Sequence, residues 1–206
     1  MDGGMNDVPN NLGVKLAYPR TRDSIRRDTY LLRAKLGLAD TPYFPILHFL
    51  ENVLPLTDES FYLEVLDDDL MAGIQAEYVP HINAIKVRRS VYDAAVEGHW
   101  WARSTLAHEL GHYYYHDEKS VRYAKLDPFE SVPPDFDPER QANIFSAELL
   151  APINLIEGKS REQIGRECGV SHAVAKNQIF ALDRIRRRQD RKRIEKKKRS
   201  GKKPNR

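Results

Sequence analysis

Residues 106–112 read LAHELGH, and within them His108, Glu109 and His112 satisfy the pattern HExxH. On an α-helix, positions i and i+4 share a face about one turn apart, so two imidazoles converge on one ion. Glu109 lies beside them. It is placed to take a proton from water that the ion acidifies, while the ion also polarises a scissile carbonyl. That is the chemistry of a metallopeptidase. Five residues match such a pattern by chance often enough that context has to decide, since an amphipathic helix with two surface histidines reads the same way. Here Thr105-Leu106-Ala107 and Gly111 suit a buried helix packed closely against a neighbour, and the stretch Glu97 to His116 contains no proline. A helix is expected from about Trp101 to His116.

A catalytic site of this kind needs a third protein ligand and an open fourth position. His116 lies one further turn along the helix, ~6 Å beyond His112, so a straight helix cannot bring it onto the same ion as His108 and His112. A packing or hydrogen-bonding role at the helix end suits it better. A metzincin would carry a histidine six residues after His112, and position 118 is Glu. Further on, KLDPFESVPPDFDP (125–138) is a proline-rich loop that ends in a helix start: Asp137 can cap, Pro138 suits the first helical position, and ERQANIFSAELLAP runs until Pro152. Glu139 falls in the first turn of that helix, where a carboxylate is favoured and where a returning helix can present it to the ion. It is the expected third ligand. Asn143, four residues on, shares its face and is a candidate to hold a ligand histidine through its amide oxygen. Glu130, Asp137 and Glu148 are the weaker alternatives. Tyr113, Tyr114 and Tyr115 read as core and rim residues at a helix end rather than as part of the site.

Upstream, DSIRRDTYLLRAKLGLAD (23–40) places Ile25, Tyr30, Leu31 and Leu36 near helical spacing, and PILHFLENVLPL (45–56) is a second apolar stretch. Two packing helices are expected. SFYLEVL (60–66), AGIQAEYV (72–79) and INAIKVRR (82–89) are short, rich in β-branched and aromatic residues and divided by turn signals, which predicts a small meander of strands. INAIKVRR is the candidate to hold an extended substrate by strand addition. Downstream, Ser160 with Gln163 forms a capping-box pattern, Gly169 marks a turn and Ser171 caps a further helix.

The chain has 206 residues, 41% apolar and 31% charged, which suits a folded body with its own core. No apolar run approaches the ~18 residues of a membrane span. The first residues lack a basic and then apolar leader, so an uncleaved cytoplasmic protein is expected. Cys168 is the single cysteine, so any metal must be held by His and carboxylates. The net charge of +3 hides an asymmetry: residues 184–206 hold 14 Lys and Arg against Asp190 and Glu195, a balance of +12, which leaves −9 on residues 1–183.

LAHELGHYYYH followed by ERQANIFSAELLAP resembles the ImmA/IrrE family of metallo-endopeptidases, whose pattern is an AHELGH helix and then a helix reading E-xx-AN-x-FAAELLMP. The likeness spans roughly residues 23–185, with Ser146 where Ala is usual and Ala151 where Met is usual. The resemblance implies His108, His112 and Glu139 as metal ligands, Glu109 as general base, and as substrate a helix-turn-helix repressor that silences mobile-element or stress-response genes. The expected fold is α+β: a zincin-like, gluzincin-type domain with a small sheet and active-site helices, plus a helical C-terminal segment. Its expected division is a flexible arm (1–20), a metallopeptidase domain (21–158), a helix-turn-helix-like appendage (159–185) and a basic, disordered tail (186–206). Zinc is the expected ion, manganese and iron being compatible with the same donors. The competing reading is a DNA-binding regulator that uses residues 160–185, with Ser171, His172 and Lys176 near a groove, and the basic tail.

Overall fold

The structure is a computed structural model that describes residues 14–117, 119–124 and 131–200. Expectations for residues 1–13, Glu130 and 201–206 lie outside the described residues. In chain order the elements are β1 (Val14–Ala17), α1 (Arg22–Lys35), α2 (Ile46–His48), a π-helical turn (Phe49–Val53), α3 (Leu54–Thr57), β2 (Tyr62–Leu66), β3 (Ala76–Val79), β4 (Ala84–Arg88), α4 (Arg89–Val96), α5 (Trp100–Tyr115), β5 (Val121–Ala124), α6 (Pro138–Leu150), α7 (Arg161–Cys168) and α8 (His172–Ser200). The architecture is α+β, with two small sheets among several helices. No described helix is long and apolar enough to cross a membrane.

The three strands of the larger sheet stand in the order β2-β4-β3, with β2 parallel and β3 antiparallel to β4. This is not the expected meander, in which β3 would be central. The burial pattern matches the difference: Ala84, Ile85 and Val87 of β4 are all fully buried in the middle of the sheet, while the less buried β2 and β3 take the edges. Because β4 is paired on both sides, INAIKVRR cannot accept a further strand, and the edge strand next to α5 is β3.

The expected flexible arm is corrected at its described end. Val14–Ala17 forms β1, antiparallel to β5 with Val14 opposite Ala124 and Ala17 opposite Val121. The pairing partner lies more than a hundred residues away, which no local pattern reveals.

Helix α5 is the structural axis. Ala102, Leu106, Ala107, Leu110 and Gly111 are buried, since α6 covers one side and the sheet with α2 and α4 covers the others. Arg103, at 2% exposure, is buried too. Its guanidinium donates to the carbonyls of Phe44 (3.0 Å), Cys168 (3.3 Å) and Gly169 (3.2 Å), and it stacks over Tyr43. A cation thus closes the carbonyl end of α7, where the helix dipole favours it. Burial lowers the Arg103 pKa from its ordinary value.

On α1 the buried stripe is Ile25, Thr29 and Arg33, while Tyr30 and Leu31 are exposed. The hydrophobic face expected from Tyr30 and Leu31 is therefore displaced, because α1 docks on α6 largely through polar groups. Arg33 Nη1 donates to Leu149 O at 2.6 Å, and the fully buried Glu148 accepts from Arg22 (2.8 Å) and Arg26 (3.0 Å).

At the C-terminal end, the capping box of Ser160 and Gln163 opens α7, Gly169 ends it in the left-handed conformation (φ 64°), and Ser171 Oγ accepts from Val174 N at 3.1 Å to start α8. Gln178 reaches back to the carbonyls of Ala147 and Ala151. Helix α8 continues to Ser200, through the residues expected to form a disordered tail. Residues 172–200 contain neither Gly nor Pro and are rich in Arg, Lys, Gln and Ala, so a helix nucleated on the folded body propagates at little intrinsic penalty.

Candidate metal centre

Two helices build the site. Asp137 caps α6, accepting from Glu139 N at 3.0 Å and Arg140 N at 3.2 Å, which fixes the first turn that carries Glu139. Gly111 lets α6 approach α5 closely: a Cβ built there would lie 2.9 Å from Ala142 Cα. The result brings His108, His112 and Glu139 together, with one ligand atom from each within 4.8 Å of the others. His108 Nε2 is 3.0 Å from His112 Nε2, 3.3 Å separates His108 Nε2 from Glu139 Oε2, and 3.4 Å separates His112 Nε2 from Glu139 Oε1.

The donor set fits a cation. His108 Nδ1 faces Asn143 Oδ1 at 3.2 Å, an acceptor that places the ring proton on Nδ1 and leaves a lone pair on Nε2. Lone pairs and a carboxylate then face one point, an arrangement that is repulsive unless a positive charge lies between them. Tetrahedral ligation with bonds of ~2.0–2.1 Å separates ligand atoms by about 3.4 Å, close to the spacings here. The fourth side is open to solvent, since the Glu139 side chain is 65% exposed.

Glu109 is buried on the neighbouring side of α5, where its Oε2 accepts from Tyr78 N of β3 at 2.8 Å. Burial pushes its pKa up to about 8, with Glu139 and Glu77 adding to the rise and the Tyr78 hydrogen bond opposing it. Burial, and then repulsion from His108 and His116, lowers His112 to about 3, so its imidazole is neutral, the state that ligates. His116 is likewise lowered to about 4, mainly by burial.

The remaining sequence candidates are placed elsewhere. His116 stands outside the group, with Nδ1 at 2.8 Å from His112 Nδ1. Asp137 is occupied as the α6 cap, and Glu148 is buried between α6 and α1. Tyr113 donates to Asp58 at 2.8 Å and Tyr115 to Asp28 at 3.1 Å, while Tyr114 lies against Phe145. Two residues with a part in the site were missed in the sequence: Tyr78, which acts through its backbone N–H, and Gln141, whose amide oxygen is 3.0 Å from His116 Nε2. A main-chain donor leaves no mark in a sequence. Gln141 does, by lying two residues after Glu139 on a helix whose buried face carries it inward.

Residues 102–179 match the family model of the IrrE N-terminal-like domain, Peptidase_M78. No match is found among curated proteins. The matched segment begins in α5, runs through α6 and α7 and ends in α8, so it takes in the converging histidines, Glu109 and Glu139, together with the helical pair read above as an appendage. The match suggests a peptidase, and the same segment carries the His108, His112 and Glu139 group that could hold a metal ion. From α5 to the first turns of α8, the chain is thus similar to the IrrE N-terminal-like domain family, in keeping with its resemblance to ImmA/IrrE.

Proposed function

We propose that the protein is a zinc-dependent metallo-endopeptidase and that its substrate is a helix-turn-helix repressor. The observation that carries the reading is the convergence of two imidazole nitrogens and one carboxylate on an open point beside the buried Glu109. His108, His112 and Glu139 would hold a divalent cation, which would supply Lewis acidity to lower the pKa of water and polarise a carbonyl. Beside such a cation, the Glu109 carboxyl would be held in its anionic form against the effect of burial. Glu109 then takes the proton from the attacking water and delivers it to the leaving amine. Tyr78 N–H holds one carboxylate oxygen and so fixes the plane in which the proton moves. The outer edge of β3, which carries that N–H beside Glu109, is the proposed seat of an extended peptide.

The test is metal content by mass spectrometry on protein purified without chelators, for wild type, Glu139→Gln and His112→Ala. Near-stoichiometric zinc in wild type, lost in both folded variants, is expected; a folded wild type that refuses added zinc overturns the reading. Glu109→Gln keeps the metal, loses hydrolysis and serves to trap candidate repressors.

A second reading has its own support. Residues 186–196 of α8 are all exposed and strongly basic, a surface suited to phosphate contacts. Duplex DNA binding that weakens steeply with salt and disappears on removal of residues 184–206 would establish it, and salt-insensitive or absent binding would dismiss it.

A further inference from the structure

His116 and Gln141 form a hydrogen-bonded chain behind His112. Both side chains are buried, at 2% and 0% exposure, so water does not complete their bonding. Gln141 Nε2 donates to Tyr18 O at 2.8 Å and to Asp135 O at 2.7 Å, which uses both amide protons on backbone carbonyls. The reverse orientation of the amide would set its oxygen against those two carbonyl oxygens. Its Oε1 therefore faces His116 Nε2, 3.0 Å away, as an acceptor, and that nitrogen must carry a proton. Among the described residues His116 meets His112 and Gln141 but no carboxylate, and a cationic ring buried without one is strongly disfavoured, so His116 is neutral and its Nδ1 holds a lone pair. Opposite that lone pair, at 2.8 Å, lies His112 Nδ1, which must then be the donor.

We infer that His116 and Gln141 are positioning residues that fix His112 as its Nδ1–H tautomer, so that its Nε2 presents a lone pair to the metal. The inference rests on the reading of His108, His112 and Glu139 as a metal site and assigns the device that prepares it. The two ligand histidines are prepared differently. His108 is held by a single amide from the ligand helix. His112 is held through a second imidazole and a glutamine to the carbonyls of Tyr18, just beyond β1, and Asp135, in the turn before α6. The state of the site is thereby tied to the correct seating of the N-terminal segment and of that turn.

The test is the imidazole 15N spectrum of the metal-free wild-type protein, followed by zinc titration against a competing chelator. Nδ1–H on His112 together with Nε2–H on His116, before any metal is added, is expected. In Gln141→Leu and His116→Leu, the His112 tautomer becomes mixed and zinc affinity falls about 10–100-fold. His116→Gln, which retains an acceptor oxygen, recovers part of that loss. Circular dichroism on each metal-free variant separates this effect from unfolding. His112 found mainly as Nε2–H in wild type overturns the inference, and so do folded leucine variants with unchanged tautomer and affinity. Because the wild-type spectrum needs neither metal nor a variant, it decides the tautomer even if the leucine variants fail to fold. A wild type that shows the expected tautomers but binds no zinc contradicts the metal-site reading and leaves the chain through His116 and Gln141 standing.

Discussion

Gly111 of α5 lies against Ala142 of α6 so closely that a methyl group on the glycine would stand 2.9 Å from Ala142 Cα and 3.2 Å from Phe145 Cβ. The obstructing atom at 2.9 Å is backbone, which cannot rotate away, so a side chain at 111 must push the two helices apart. The histidines ride on one of these helices and Glu139 on the other.

Gly111→Ala is therefore expected to destabilise the fold by about 1–3 kcal/mol and to weaken the proposed zinc binding as well, since a shift of a few tenths of an ångström acts directly on the Glu139 to imidazole distances. Urea unfolding and a chelator-competition titration on the same sample check both parts. Unchanged stability would mean that the helices tolerate wider separation.

Glu148 is fully buried and is held by Arg22 and Arg26, whose side chains remain 32% and 19% exposed. Removing one partner of a buried ion pair typically costs ~3–5 kcal/mol, and the partial exposure of both guanidinium groups reduces that to about 2–3 kcal/mol. Glu148→Ala is expected to show this loss in denaturant unfolding. Glu148→Gln, which keeps shape and an acceptor oxygen, should lose less. Equal losses in the two variants would assign the effect to the lost charge rather than to shape.

Asp58 accepts from Ser60, Asn83 and Tyr113, and these hydrogen bonds hold its pKa at about 2, below the ordinary carboxylate value of 3.8. A carboxyl whose folded pKa lies below its unfolded one stabilises the fold above the unfolded value. That stabilisation is lost as pH falls from near 4 towards 2. Wild type is expected to exceed Asp58→Asn in Tm by on the order of 2–4 °C at neutral pH, with the gap closing below pH 4. Thermal melts across pH 2–7 check this, and a gap that persists at pH 2 would contradict it.

Much of the site was legible because it depends on local spacing. HExxH sets two imidazoles on one face of α5, and the Asp137-Pro138 start sets Glu139 in the first turn of α6, where the structure has it. Cap signals were equally plain at Ser160, Gly169 and Ser171. Less could be read where a residue's role depends on a distant partner. Tyr30 and Leu31 looked like core residues, yet the inward stripe of α1 is Ile25, Thr29 and Arg33, because Glu148 and the Leu149 carbonyl offer polar partners there. Arg103 reads as a surface cation until Phe44, Cys168 and Gly169 turn their carbonyls towards it.

By itself, the sequence determined the facing sides of α5 and α6, the caps of α6, α7 and α8 and the residues able to ligate, since each follows from the 3.6-residue period and from hydrogen bonds a few positions apart. Only the tertiary structure decided that β4 lies between β2 and β3, that β1 pairs with β5, and that Tyr78 reaches Glu109 while Gln141 reaches His116. Those choices are made by which surfaces bury most area and which buried polar atoms find partners across the fold. That competition is settled among all the elements at once, and no single segment carries it.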